Sequence, residues 1–149
     1  MNEFMKTAYQ EALHGISKKH GGPFGCVIVK DGKIVAQAHN EVLLRNDPTA
    51  HGEVLAIRKA CESLQTYDLH DCILFTSAKP CPMCKGAIQW SRIPEVYYSG
   101  DYNDTLQIGF DDLAFSKDFQ KEENWHQIDQ EQFKEIIDAF KQYSSEIKY

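Results

Sequence analysis

The sequence predicts one α/β domain in which a mixed sheet carries helices on its faces. Three observations predict it. Two strand-like runs flank Asp31-Gly32, a strong two-residue hairpin turn, so the sheet begins with an antiparallel pair. After that hairpin, segments with helical spacing alternate with short apolar runs, the order that makes strands neighbours through helical crossovers. The 149 residues, 42% apolar and 26% charged, are also enough for one sizeable core, since a domain of about 150 residues buries about two thirds of its unfolded surface.

Each element has its own signal. Phe4, Met5, Ala8, Ala12 and Ile16 recur at helical spacing across residues 3–18, and Gly21-Gly22-Pro23 stops that helix. Residues 25–29 and 33–39 are the two arms of the hairpin. Asn46-Asp47-Pro48 is a turn and Thr49 an N-cap. Val54, Ile57, Cys61 and Leu64 then give one apolar stripe, so a second helix begins near Ala50. Residues 72–76 read as a buried strand, and Pro80-Cys81-Pro82 opens a third helix through Trp90. Residues 96–99 make a fourth strand. Between Gly100 and Gln127 no period is sustained. Phe133, Ile136, Ile137 and Phe140 then mark a last amphipathic helix ending shortly before Tyr149.

Composition excludes several function classes. No apolar run approaches the roughly 20 residues that cross a bilayer, and Asn2, Glu3 and Lys6 leave no secretory core at the N-terminus. The expectation is a cytoplasmic protein without a membrane partner. In a reducing compartment the five cysteines are core residues or metal ligands rather than bridges, and Cys26, Cys61 and Cys72 fall on apolar faces. The net charge is −6, unevenly placed: residues 1–100 hold 11 Lys/Arg against 10 Asp/Glu, and residues 101–149 hold 5 against 12. An acidic C-terminal third repels a phosphate backbone, so a small molecule is the expected partner and nucleic acid is not. A solvated acidic face with no further meaning is the plain alternative.

Chemistry concentrates in His51-Gly52-Glu53 and Pro80-Cys81-Pro82-Met83-Cys84, each at the start of a helix. Cys81 and Cys84 are three apart, so one helical turn puts both thiols on one side. With His51 they make three zinc-type ligands and leave the fourth tetrahedral position open, as catalytic zinc sites do. No second Cys-x-x-Cys or paired histidine supplies a fourth ligand. Zinc lowers the pKa of its water to about 7, and Glu53 stands where a carboxylate can take that proton and pass it to a substrate nitrogen. The plain alternative is a pair of core or redox thiols. His14, His20, His39, His70 and His126 lack ligand spacing and read as surface or loop residues.

With these residues in hand, the chain resembles the cytidine and deoxycytidylate deaminase superfamily, whose signature is His-x-Glu with Pro-Cys-x-x-Cys. It resembles most the bacterial guanine deaminase branch, through Gly21-Gly22-Pro23-Phe24-Gly25, Asn46-Asp47-Pro48-Thr49-Ala50-His51-Gly52-Glu53, Ala87-Ile88-Gln89-Trp90, Gly109-Phe110-Asp111-Asp112 and the terminal Tyr149. The resemblance implies a three-layer fold with a mixed five-stranded sheet, zinc on His51, Cys81 and Cys84, and Glu53 as proton shuttle. It implies substrate contacts from Asn40, Phe24, Trp90, Asp112 and Tyr149. It also implies a homodimer, domain-swapped so that residues 129–149 close the partner's active site. Hydrolysis of guanine to xanthine and ammonia is the implied reaction; guanosine, cytosine or an aminotriazine are other small substrates, and a tRNA adenosine is the polyanionic alternative. Phe24 and Trp90 can equally be core aromatics, Asn40 a strand end, and Asp111-Asp112 a helix cap. Two positions depart from the family pattern: Gly52 where alanine is usual, and Lys79 where glutamate is typical.

Overall fold

In the computed structural model, which describes residues 2–117 and 121–143, strand β1 (Gly25–Lys30) is the centre of the sheet. Its alternate residues serve two faces. Cys26 and Ile28 join Leu74, Ala56, Ala60 and Ile88 on one side, while Val27 and Val29 join Phe75, Phe4 and Met5 on the other. Helix α1 (Glu3–Ser17) covers the second face and helix α3 (Gly52–Leu64) with α4 (Pro82–Ser91) the first, so helices lie on both faces. The α1 backbone comes so close to β1 that a Cβ on Gly25 would lie 2.0 Å from the carbonyl oxygen of Ala8. Only glycine fits there.

Strands β2 (Lys33–His39), β3 (Cys72–Ala78) and β4 (Glu95–Gly100) complete a sheet of order β2-β1-β3-β4. β1 is antiparallel to β2 and β3, and β3 is parallel to β4, with α4 as the crossover. Asp31 (φ 50°) and Gly32 (φ 73°) both have positive φ, as the type I′ hairpin requires.

The sheet has four strands among the described residues, not the five that the resemblance implies. The cause is local. Directly after β4, the Asp101 carboxylate accepts from the N–H groups of Asn103 and Asp104, and Asp104 returns the favour to Asp101 N–H. This capping box starts helix α5 (Tyr102–Leu106) and carries the chain off the sheet. Helix α6 (Asp112–Lys117), a 3₁₀ turn (Gln130–Gln132) and helix α7 (Phe133–Tyr143) follow.

Two further differences from the sequence reading concern the loops around the site. A short helix α2 (Val42–Arg45) follows β2, closed by the N–H groups of Leu43 and Leu44 on the carbonyl of His20. Helix α3 is capped by His51, not Thr49, because Asp47 holds the N–H and hydroxyl of Thr49 at 2.8 and 2.7 Å and keeps that residue in the turn. Among the described residues no helix is long and apolar enough to cross a membrane.

Candidate active site

Two helix starts meet at one end of the sheet. The Asp47 turn delivers His51 to the N-cap of α3, and β3 delivers Cys81 to the N-cap of α4, where Pro82 occupies the first helical position. Cys84 lies one turn further on, fully buried. His51 Nδ1 is 3.6 Å from Cys81 Sγ and 3.6 Å from Cys84 Sγ. Ordinary Zn–S and Zn–N bonds at tetrahedral angles put sulfur and nitrogen about 3.6 Å apart, so the donor set fits zinc in both chemistry and spacing.

The three side chains share protons among themselves. The Cys84 thiol hydrogen-bonds Cys81 and, with help from His51, holds it down to about 4 against burial. The same pairing and burial drive Cys84 up, and the bond to Cys81 raises His51. A divalent cation is what allows both thiols to ionise together.

Glu53, in the first turn of α3, is buried beside them. Its Oε1 accepts from the Thr76 hydroxyl at 3.1 Å and its Oε2 from the Cys84 thiol at 3.3 Å. Burial pushes its carboxyl up, with the Cys84 bond opposing. Thr76 is a residue the sequence reading passed over. It is 1% exposed at the end of the apolar run 72–75, and its hydroxyl also faces the carbonyl of Ala78 at 3.2 Å. A hydroxyl ending so apolar a run was the signal available.

A cavity of about 310 Å³ opens over His51, Glu53 and Cys81, and its walls include Phe24, Asn40 and Asp112. Phe24 meets Phe110 edge-on at 5.0 Å. Asn40 accepts from Val42 N–H at 3.1 Å through Oδ1, which leaves its amide NH₂ as the donor it can offer. Gly21 makes room for that side chain, since a Cβ there would lie 2.1 Å from Oδ1. Of the Asp111-Asp112 pair, Asp111 serves as the helix cap, accepting from Ala114 N–H at 3.0 Å, and Asp112 lines the cavity. Burial and the charge on Cys81 push the Asp112 carboxyl up.

Two expected contacts are not brought together with the rest. Trp90 sits in the last turn of α4, 64% exposed and outside the cavity wall, because six residues carry it nearly two turns away from Cys84. Tyr149 lies outside the described residues. Lys79, one of the two departures from the family pattern, lines the cavity with its ammonium over the rings of Tyr102 and Tyr98, at 4.9 and 5.6 Å. Gly52 stands where a Cβ would meet the Phe24 carbonyl at 3.3 Å, a tight fit for alanine.

The chain matches the profile of the cytidine and deoxycytidylate deaminase zinc-binding region over residues 1–100. It is 52% identical to the guanine deaminase of Bacillus subtilis over 118 residues, 79% of this chain and 76% of that protein. It is 45% identical to the tRNA-specific adenosine deaminase of Aquifex aeolicus over 96 residues, 64% of this chain and 63% of that protein. The X-ray structure of the B. subtilis guanine deaminase superposes with a TM-score of 0.92 at 44% identity, covering 100% of this chain and 99% of that one. A structure of guanine deaminase from Nitrosomonas europaea superposes with a TM-score of 0.69 at 32% identity, over 73% of this chain and 63% of that one. With a His-Cys-Cys group fit for zinc at the meeting point of two helix starts, the chain belongs to the cytidine and deoxycytidylate deaminase family.

Proposed function

We propose that the protein is a zinc-dependent aminohydrolase that converts guanine and water to xanthine and ammonia. The observation that carries this reading is the cavity itself. At about 310 Å³ it is at the small end of ligand sites, which run from about 300 to 1,000 Å³. A free base fits a space of that size. Its floor is the zinc group with Glu53, and its walls offer one amide donor and one carboxylate acceptor. By sequence, the likeness to the B. subtilis guanine deaminase covers 79% of the chain and that to the Aquifex tRNA deaminase 64% of it.

In this mechanism His51, Cys81 and Cys84 hold zinc, whose Lewis acidity makes a water nucleophilic near neutral pH. Glu53 Oε2 takes a proton from the attacking water and gives it to the ring nitrogen, then carries the second proton to the leaving amine. Thr76 holds the other oxygen still. Asn40 donates to an acceptor of the base and Asp112 accepts from its N–H edge, a match to guanine, which presents donors there. Phe24, braced by Phe110, gives the ring a flat wall.

The same reading includes a cytoplasmic location, which the five free thiols suit, and a homodimer in which residues 129–149 close the partner's pocket. Helix α7 supports the dimer: Phe133, Ile136 and Ile137 are 56, 61 and 42% exposed. An amphipathic helix of this kind buries that stripe against something.

The test is ammonia release by the zinc-loaded protein from guanine, guanosine, adenine, cytosine and a tRNA anticodon stem, each in parallel. Turnover confined to guanine is expected. Turnover on the tRNA at moderate salt, with none on guanine, overturns the reading.

A further inference from the structure

A second group of metal-type ligands lies away from the cysteines. His20 and His39, read from the sequence as surface or loop residues, stack with ring centroids 5.1 Å apart, and His39 is 7% exposed. His20 is a loop residue, whereas His39 is a buried strand residue because α1 leaves Gly15 where its ring lies, and a Cβ there would be 2.7 Å from Cδ2. The ring occupies a cradle that any larger residue would fill.

The protons in this cluster are fixed by its hydrogen bonds. His39 Nδ1 lies 2.7 Å from Glu11 Oε2, and Glu11 Oε1 accepts from the Gln37 amide at 2.8 Å. A carboxylate only accepts, so His39 Nδ1 carries the hydrogen and a neutral ring has its lone pair on Nε2. That lone pair faces His20 Nδ1 at 2.8 Å and Glu41 Oε1 at 3.8 Å. Two ring nitrogens and a carboxylate oxygen thus lie close enough together for one cation to bridge them. Glu11 and Glu41 are both largely buried, at 16 and 12% exposure. Arg45 pairs with the other oxygen of Glu41.

We propose that His20 Nδ1, His39 Nε2 and Glu41 Oε1 form a second metal site for a zinc-class divalent ion, with Glu11 as the carboxylate behind His39. The three atoms lie within 4.8 Å of one another. Nitrogen and carboxylate oxygen together suit the borderline first-row metals. A carboxylate on the far nitrogen of a ligating histidine fixes its tautomer and raises its basicity. Two nitrogens on tetrahedral zinc lie about 3.3 Å apart, so the ion replaces the bridging proton and opens the 2.8 Å pair slightly. The site has a role to play in the fold: His20, His39 and Glu41 each precede a residue of the cavity wall, Gly21, Asn40 and Val42. One ion would pin both segments, residues 20–21 and 39–42, together.

The experiment reads metal content, so its outcome is separate from that of the guanine reading. The full chain, loaded with zinc at the cysteine site, is dialysed against cobalt(II) and analysed for both metals. Two metals per chain are expected, the cobalt without the thiolate-to-metal absorption it would show on Cys81 and Cys84. His20→Ala and Glu41→Gln are each expected to return the total to one with zinc and circular dichroism unchanged. Gly15→Ala, which displaces the His39 ring, is expected to weaken cobalt binding at least tenfold. A total of one in the unaltered protein overturns the proposal, as does a total of two that persists in the folded variants.

Discussion

The sheet with the helices on it, residues 3–100, and the segment from 121 to 143 are built on opposite principles. In the former, Ile28, Leu69 and Leu74 are wholly buried, the sheet is covered on both faces, and every zinc-type ligand on the cysteine side is half-buried or better. In the latter, every apolar side chain whose burial is described is exposed, Trp125 at 73% and Ile128 at 76% among them. Helix α7 packs mainly on the turn before it. Chemistry is therefore housed where the chain satisfies its own packing, and the acidic C-terminal third presents an apolar stripe outward. The contrast says where loss of a side chain should act on the reaction, where on stability, and where on neither within one chain.

Removal of the metal sets the upper bound. Cys84→Ser replaces a buried thiol that faces both His51 and Glu53, and the expected result is loss of bound zinc and of all measurable ammonia release. Elemental analysis beside the assay checks it. Next is Glu53→Gln, which keeps shape but cannot take a proton. General acid–base groups contribute about 10² to 10⁴-fold, so kcat should fall by that factor with zinc content unchanged. A variant that keeps full turnover removes Glu53 from the mechanism.

The core half is expected to be unforgiving in stability as well. Leu74→Ala empties a fully buried position in β3, and such truncations cost about 2 to 5 kcal/mol, read as a lower denaturation midpoint. Smaller is the effect of Asn40→Ala or Asp112→Asn. Each removes one polar partner of a bound base, worth about 1 to 3 kcal/mol, so KM for guanine should rise roughly five- to 150-fold; Asp112→Asn leaves folding little changed, whereas Asn40→Ala also unpairs Val42 N–H and lowers the denaturation midpoint. An unchanged KM in both would move the base elsewhere in the cavity.

Much of this contrast was legible in the sequence, and the exceptions have physical reasons. Local signals survived folding: Asp31-Gly32 sets a hairpin by its own φ angles, and Cys81 with Cys84 share a side of α4 by helical geometry alone. The residue-level reading also counted four strands; the fifth entered by resemblance and fails among the described residues at the Asp101 capping box. Features made by chain closure left no spacing to read. His20 and His39 meet only because the loop after α1 folds back on β2, and Thr76 reaches Glu53 only because α3 packs against the sheet. Helix α2, at four residues, is too short to show a period. Trp90 illustrates the reverse: a motif position carried over by resemblance, which one chain's geometry turns to the outside.

The last substitution probes the other half of the contrast. Ile136 is 61% exposed on α7, and an exposed side chain away from caps and networks changes folding by no more than about 0.5 kcal/mol. Ile136→Ser should therefore leave the denaturation midpoint of dilute protein where it was, an order of magnitude less than Leu74→Ala. If a second copy covers the stripe, the same substitution shifts the dimer to higher concentration in sedimentation equilibrium, and activity follows the dimer. A loss of stability as large as that of Leu74→Ala, at concentrations where the chain is monomeric, would mean that α7 is packed within its own chain. The division between a self-sufficient half and an outward-facing half would then be wrong, and the pocket would be closed from within.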